Sequence, residues 1–243
     1  MASEVGHARN IQRFEELIAK VVGYGGVYKP SNLDITAAAL QSKLAASQGA
    51  MDGVTNDFAS EKTGVNDRQN LFKTLQSTVT RSVNYYASTG TADNAVKDAK
   101  SLKRKIDGKR ASAPLVDDPA TPANEAAAQH SSAQTSYTQR VEHLDDLIAL
   151  YLTDVKYAPN EADLTTASMT TYLTSLKDAN TNVITKETNT TNARLTRRNE
   201  MYESGTGLFN LQRLVKMYVK GLFGATSPEY KQISGLKFVD YSE

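Results

Sequence analysis

The chain holds no cysteine, no tryptophan and only three histidines, and its apolar runs are a few residues long. Without Cys, disulfides, thiolate metal sites and cysteine nucleophiles are excluded. Apolar runs this short fall far below the ~20 residues a membrane-spanning helix needs, so no membrane span is expected. The first residues, Met1 to His7, lack a basic stretch followed by an apolar one. No signal peptide is visible, and a cytoplasmic location is expected. An excess of either charge is also missing: 28 basic residues face 27 acidic ones, a formal charge of +1. That balance gives no global pull toward nucleic acid or anionic lipid. Aromatics are 7% of the chain, which suits a slender core lined by Leu, Ala and Val.

What is present is repetition. Tyr28-Lys-Pro-Ser-Asn-Leu-Asp-Ile-Thr36 recurs as Tyr157-Ala-Pro-Asn-Glu-Ala-Asp-Leu-Thr165, displaced by 129 positions. Upstream, Ile11, Phe14, Leu17, Ile18 and Val21 match Val141, Leu144, Leu147, Ile148 and Tyr151 at a displacement of 130. The expected fold is all-α: two tandem copies of a helical-bundle unit with long antiparallel helices, related by a pseudo-two-fold. The first copy spans residues 1–110 and the second 124–243. Residues 111–123, with Pro114, Pro119 and Pro122, form the expected linker.

Each copy opens with a helix whose apolar residues recur at three and four. In the first copy Gly23, Gly25 and Gly26 end it. Ser31 with Asp34, matched by Asn160 with Asp163, predicts the caps of the next helices. From Leu33 a 3.5-residue period runs through Ala37, Leu40, Leu44, Ser47, Met51, Val54, Phe58, Glu61, Val65, Arg68, Phe72, Leu75 and Val79. Its twin runs from Ala162 through Met169, Leu173, Leu176, Val183, Thr190 and Arg197 to Met201. Such a period is the seam of a coiled-coil-like bundle. Gly49, Gly53 and Gly64 each cost about 1 kcal/mol of helix propensity, which points to close approach of a neighbouring helix. Ser204-Gly205-Thr206-Gly207 is expected to break the second long helix, and a further helix follows from Leu208 to Leu222.

The pattern Tyr-x-Pro-[Ser/Asn]-x-x-Asp, the stretch Asp98 to Arg110 and the tail Tyr218 to Phe238 resemble an uncharacterised family of bacterial proteins of similar length. The resemblance covers most of the chain. It implies the architecture and brings no activity with it. Family members carry a Pro near the position of Thr74. Its absence here implies a continuous helix through that point.

No catalytic constellation, metal site or cofactor motif emerges. His143 with Asp146 is an i, i+3 pair, below the usual ligand count for a metal, and reads as a solvated surface pair. Gly205-Thr206-Gly207 lacks the following Lys of a phosphate loop. The seam polar residues Glu61, Arg68, Glu187, Arg194 and Arg197 admit three readings: a buried layer fixing helix register, a site in the bundle core, or solvated positions. One dense basic cluster holds Lys97, Lys100, Lys103, Arg104, Lys105, Lys109 and Arg110. It reads as a solvated helix face or partner contact, with phosphate binding as the alternative. Eleven threonines fall between Thr165 and Thr196, so that helix needs packing to hold it. Tyr230, Ile233, Leu236, Phe238 and Tyr241 make the C-terminal segment too apolar for an undocked tail. The expected function is that of a non-enzymatic structural or protein-interaction bundle that self-associates or binds a protein partner. A nucleic-acid-associated protein and a membrane-active helical protein are the alternatives. The candidate contact residues are Lys100, Lys103, Arg104, Lys105, Lys109, Arg110, Tyr230, Phe238 and Tyr241.

Overall fold

The computed structural model describes residues 4–109 and 135–241. The expected linker at 111–123 and Arg110 lie outside them. Among the described residues the chain forms helices and turns and no strand. In chain order these are α1 (Glu4–Gly23), α2 (Ala37–Lys73), α3 (Leu75–Ser88), α4 (Asp93–Ile106), α5 (Tyr137–Leu152), α6 (Thr166–Tyr202), α7 (Leu208–Phe223) and α8 (Pro228–Ser234). The long helices α2 and α6 contain 37 residues each, and their first and last residues stand 129 positions apart.

The chain packs as two compact units. A central unit spans Lys62–Thr185; a terminal unit joins Met1–Glu61 to Lys186–Glu243. The central unit therefore holds α3, α4 and α5, and the terminal unit holds α1, α7 and α8. Both boundaries fall inside α2 and α6. This division differs from the expected 1–110 and 124–243. Each compact unit takes the first helix of one expected copy and the later helices of the other. The reason is helix length. A 37-residue helix can enter both cores: α2 gives Leu40 to the terminal one and Phe72 to the central one.

The terminal core is built from Phe14, Leu17 and Val21 of α1, Leu40 of α2, Met201 of α6, Leu208, Leu211, Val215 and Val219 of α7, and Ile233 of α8. The central core joins Phe72, Leu75, Val79, Val83 and Tyr86 to Ala99 and Ile106 of α4. Val141, Leu144, Leu147 and Tyr151 of α5 and Met169, Leu173 and Leu176 of α6 complete it. Full burial of one such aliphatic side chain is worth about 1.5–3 kcal/mol. The seam read from the sequence is largely the buried face: Leu40, Ser47, Val54, Phe72, Leu75 and Val79 are buried, as are Met169, Leu173, Leu176, Val183, Thr190, Arg197 and Met201.

Three local expectations are corrected. The caps of α2 and α6 are Thr36 and Thr165, not Ser31 and Asn160. Thr36 Oγ1 accepts from the amide of Ala39 at 3.3 Å, and Thr165 Oγ1 from that of Ser168 at 3.2 Å. Ahead of α2 a short 3-10 turn at Leu33–Ile35 intervenes, with Asn32 accepting from Asp34. This turn leaves Leu33 exposed and buries Ile35 instead. Second, the helix does not run unbroken through Thr74, because α2 ends at Lys73 and α3 starts at Leu75. The Tyr172 hydroxyl donates to the Leu71 carbonyl at 2.7 Å, and Thr74 Oγ1 reaches the same carbonyl at 3.3 Å. The same carbonyl thus accepts from two hydroxyls at the break. Third, a Cβ built at Gly49 or Gly53 would meet nothing within 4 Å, so no close helix among the described residues explains them.

The two connectors share one anchoring bond. Tyr28 is buried and its hydroxyl donates to the Ile35 carbonyl at 2.7 Å. Tyr157 is buried and donates to the Leu164 carbonyl at 2.8 Å.

Candidate functional site

The basic cluster lies on α4 and the turn that follows it. Asp93 sits in the first turn of this helix, and Lys103, Arg104 and Lys105 sit in the last. Each sign of charge is favoured where it stands by the helix dipole. Ala99 and Ile106 are buried beneath, with Leu102 half-buried against the same core. Lys97, Lys100, Lys105 and Lys109 are exposed, while Lys103 and Arg104 are half-buried. The cluster is partly neutralised. Lys103 donates to Asp107 as an i, i+4 pair, and Lys109 Nζ stands 3.9 Å from the same carboxylate. Arg104 donates to Ser101 Oγ at 3.2 Å. An open groove of about 410 Å³ is lined by Gln76, Ser77, Thr80 and Arg81 of α3 with Lys103, Asp107 and Lys109. Arg81 is engaged in a two-pronged contact with Asp163, and this hydrogen bond holds the Asp163 carboxyl below its ordinary value.

The C-terminal candidates pack on their own unit. Tyr230, Phe238 and Tyr241 are half-buried against the terminal core. After α8 the chain runs across α1 and α7, and side chains of those helices bind its backbone. Lys216 donates to the Leu236 carbonyl at 2.5 Å, and Arg13 donates to that of Lys237. Asn10, 1% exposed, holds Val239 both ways: Nδ2 donates to its carbonyl at 2.6 Å, and Oδ1 accepts from its amide at 3.2 Å. Two rings flank this clamp. Lys216 Nζ lies 5.2 Å from the Phe238 ring centroid. Tyr241 stands edge-on to His7 with centroids 5.3 Å apart, and any Cβ at Gly6 would come within 2.6 Å of it.

Behind the clamp lies a buried polar triad. Asn10 Nδ2 donates to the Tyr202 hydroxyl at 3.2 Å, and that hydroxyl lies 2.8 Å from His7 Nδ1. Which of the two donates, the Tyr202 hydroxyl or His7 Nδ1, follows the histidine tautomer. Burial, chiefly, pushes the Tyr202 phenol up to about 12. Sequence reading passed over Asn10 and His7. Their signal was present: both continue the spacing of Val21, Leu17 and Phe14 back along α1, as polar residues in an apolar register.

The seam polar residues divide. Arg197 is buried, and its charge lies near enough to Tyr202 to act on that phenol. Arg68 is half-buried, with its guanidinium 4.2 Å from the Tyr137 ring centroid, within cation–π range. Glu61 and Arg194 are half-buried and Glu187 is exposed. His143 proves buried rather than solvated, with Nδ1 3.8 Å from Asp146. Among the described residues no group of three or more His, Asp or Glu is placed to hold a metal ion. No helix there is long and apolar enough to cross a membrane.

The terminal unit carries a second groove, of about 550 Å³, lined by Asp34, Ala39, Ser42, Lys43, Ala46, Glu200, Thr206 and Leu211. Lys43 and Glu200 pair inside it at 2.8 Å. No family model, curated protein or solved structure matches the chain.

Proposed function

We propose that the chain is a non-enzymatic protein-interaction bundle, built from two duplicated helical copies related by a pseudo-two-fold and able to self-associate. The observation that carries this reading is a matched pair of exposed apolar sites. Val22, half-exposed near the end of α1, and Leu152, 67% exposed at the end of α5, stand 130 positions apart. Each connector adds more: Val27 and Leu33 after α1, and Val155, 95% exposed, after α5. Burying side chains like these against a partner recovers free energy that a solitary chain leaves unused.

The faces of the long helices support the same reading. On α6 the hydroxyls of Thr170, Thr171, Thr174, Thr181, Thr185 and Thr191 each donate to the carbonyl four residues back. Bonded in this way, these exposed hydroxyls are satisfied within their own helix. Ile184 and Leu195 are exposed on the same helix.

Sedimentation velocity over a range of concentrations tests the proposal. Association that weakens in Leu152→Asp or Val155→Asp, with the thermal melt unchanged, supports it. A wild-type chain that stays monomeric throughout and turns over a small molecule would overturn it. Phosphate binding through α4 is disfavoured by the Lys103–Asp107 pairing. Retention on DNA that persists at physiological salt would restore it.

A further inference from the structure

The geometry points to a peptide-binding groove on the terminal unit, formed by α1 and α7. Its resident ligand is the chain's own segment 235–241, and the same segment of a second copy is the partner it fits. This deepens the self-association reading by naming a site for it.

The argument rests on how the segment is held. Helix α8 ends at Ser234, and the residues after it carry no helix. Three long or amide side chains read their main chain at alternate or adjacent positions: Lys216 at Leu236, Arg13 at Lys237 and Asn10 at Val239. The two-way bond from Asn10 to Val239 mimics the pairing that a neighbouring strand would give. Asn10 is itself buried and oriented by Tyr202, so the groove's central contact is fixed on its helix face. Specificity comes from two rings. Phe238 lies under the Lys216 ammonium, and Tyr241 fits the space left by the missing side chain of Gly6, against His7. Main-chain bonds with side-chain pockets are the elements of extended-peptide recognition. Nothing in the set requires the peptide to belong to the same molecule.

The intact chain occupies its own groove. A short tether presents the tail at an effective concentration of order mM, so an added peptide competes poorly. Val239→Pro removes the amide that Asn10 Oδ1 accepts and so expels the tail while leaving the groove complete. The probe is a fluorescently labelled peptide of residues 235–241, titrated against the full-length chain and read by anisotropy. The Val239→Pro chain is expected to bind it at least tenfold more tightly than wild type. Adding Asn10→Ala should remove that gain, and a peptide carrying Val239→Pro should fail to bind. A Val239→Pro chain with wild-type helical circular dichroism that binds no peptide, or binds both peptides alike, overturns the proposal. Where that chain does not fold, Tyr241→Ala takes its place with the same expected outcomes. If neither variant folds, the tail is a structural element and the proposal fails. Sedimentation separates this test from the broader one. A chain that binds the peptide yet remains monomeric keeps the groove and loses the self-association reading. One that associates without binding the peptide does the reverse.

Discussion

Tyr28 meets Tyr218 edge to face, with ring centroids 5.2 Å apart and planes at 89°. In the other unit Tyr157 meets Tyr85 at 5.5 Å and 90°. In each pair a connector tyrosine packs on a helix from the other expected copy. The likeness extends to a second pair of sites. Lys43 bonds to Glu200 in the terminal unit, and Tyr172 bonds to the Leu71 carbonyl in the central one. Positions 43 and 172, like 71 and 200, are 129 apart. At these positions the terminal unit has an ion pair and the central unit a phenol–carbonyl bond.

The connector tyrosines should make stability sensitive to alkali. Burial, before any other cause, raises the phenols of Tyr28, Tyr151 and Tyr157 above their ordinary value of 10.0. The folded state holds these protons more tightly than the unfolded one. Their contribution is therefore complete below pH 10 and is lost as pH rises from there through the folded values. Denaturant midpoints should fall steeply above pH 10. Tyr28→Phe and Tyr157→Phe should each cost about 0.5–1.5 kcal/mol at neutral pH through the lost hydroxyl bond, and each should flatten that fall. An unchanged alkaline slope in the double variant would refute the assignment.

The helix starts can be located by melting. Thr36→Ala and Thr165→Ala should each destabilise by about 0.5–2 kcal/mol through loss of a cap. Ser31→Ala and Asn160→Ala should leave the melt within experimental scatter. The opposite ranking would move the start of both long helices.

Glycine substitutions should act in opposite directions. A Cβ at Gly207 would come within 2.6 Å of the Glu203 amide nitrogen, so Gly207→Ala should lower the melting temperature. Gly49 and Gly53 lie open within α2, and alanine at either should stabilise the isolated chain by up to about 1 kcal/mol. Should the face of α2 be used in self-association, the same two variants will weaken it. Calorimetry and sedimentation on one set of proteins read both effects.

The buried triad predicts a tight coupling between α1 and the tail. Asn10→Ala removes both bonds to Val239 and the donor to Tyr202. Hydrogen exchange at residues 236–241 should accelerate at least tenfold, with little change in α3 to α5. Equal acceleration in the central unit would show that the two cannot loosen independently.

Much of this was legible in the sequence because burial imposes a period. The seam from Leu40 to Val79 and its partner from Met169 to Met201 follow from spacing alone, and so does the break at Gly205, where φ is +86°. The failures were of a different kind. The caps were misplaced by five residues because Ser31 and Asp34 carry the stronger local signal. What decides the start is a 3-10 turn closed by a tyrosine seven residues away. Beside the break at Thr74 the Leu71 carbonyl accepts from Tyr172, 101 positions away, and no local pattern reports that contact. The exchange of helices between units was invisible for a geometric reason: periodicity reports which face of a helix is buried, and says nothing of which neighbour covers it.

Tyr241 lies against Gly6 in one unit, and Thr135 lies against Gly108 in the other. Each contact joins residues far apart in sequence within its own unit, so the joint in the chain could be moved. A circular permutant that links residue 241 to residue 4 and opens between residues 109 and 135 is expected to keep the helix packing of the described residues. The order of assembly would invert. At present the central unit is one continuous stretch, whereas the terminal unit is made of two segments and waits on a closure spanning the whole of the central one. In the permutant the terminal unit becomes the continuous one, and pulse-labelled hydrogen exchange would see it protected first.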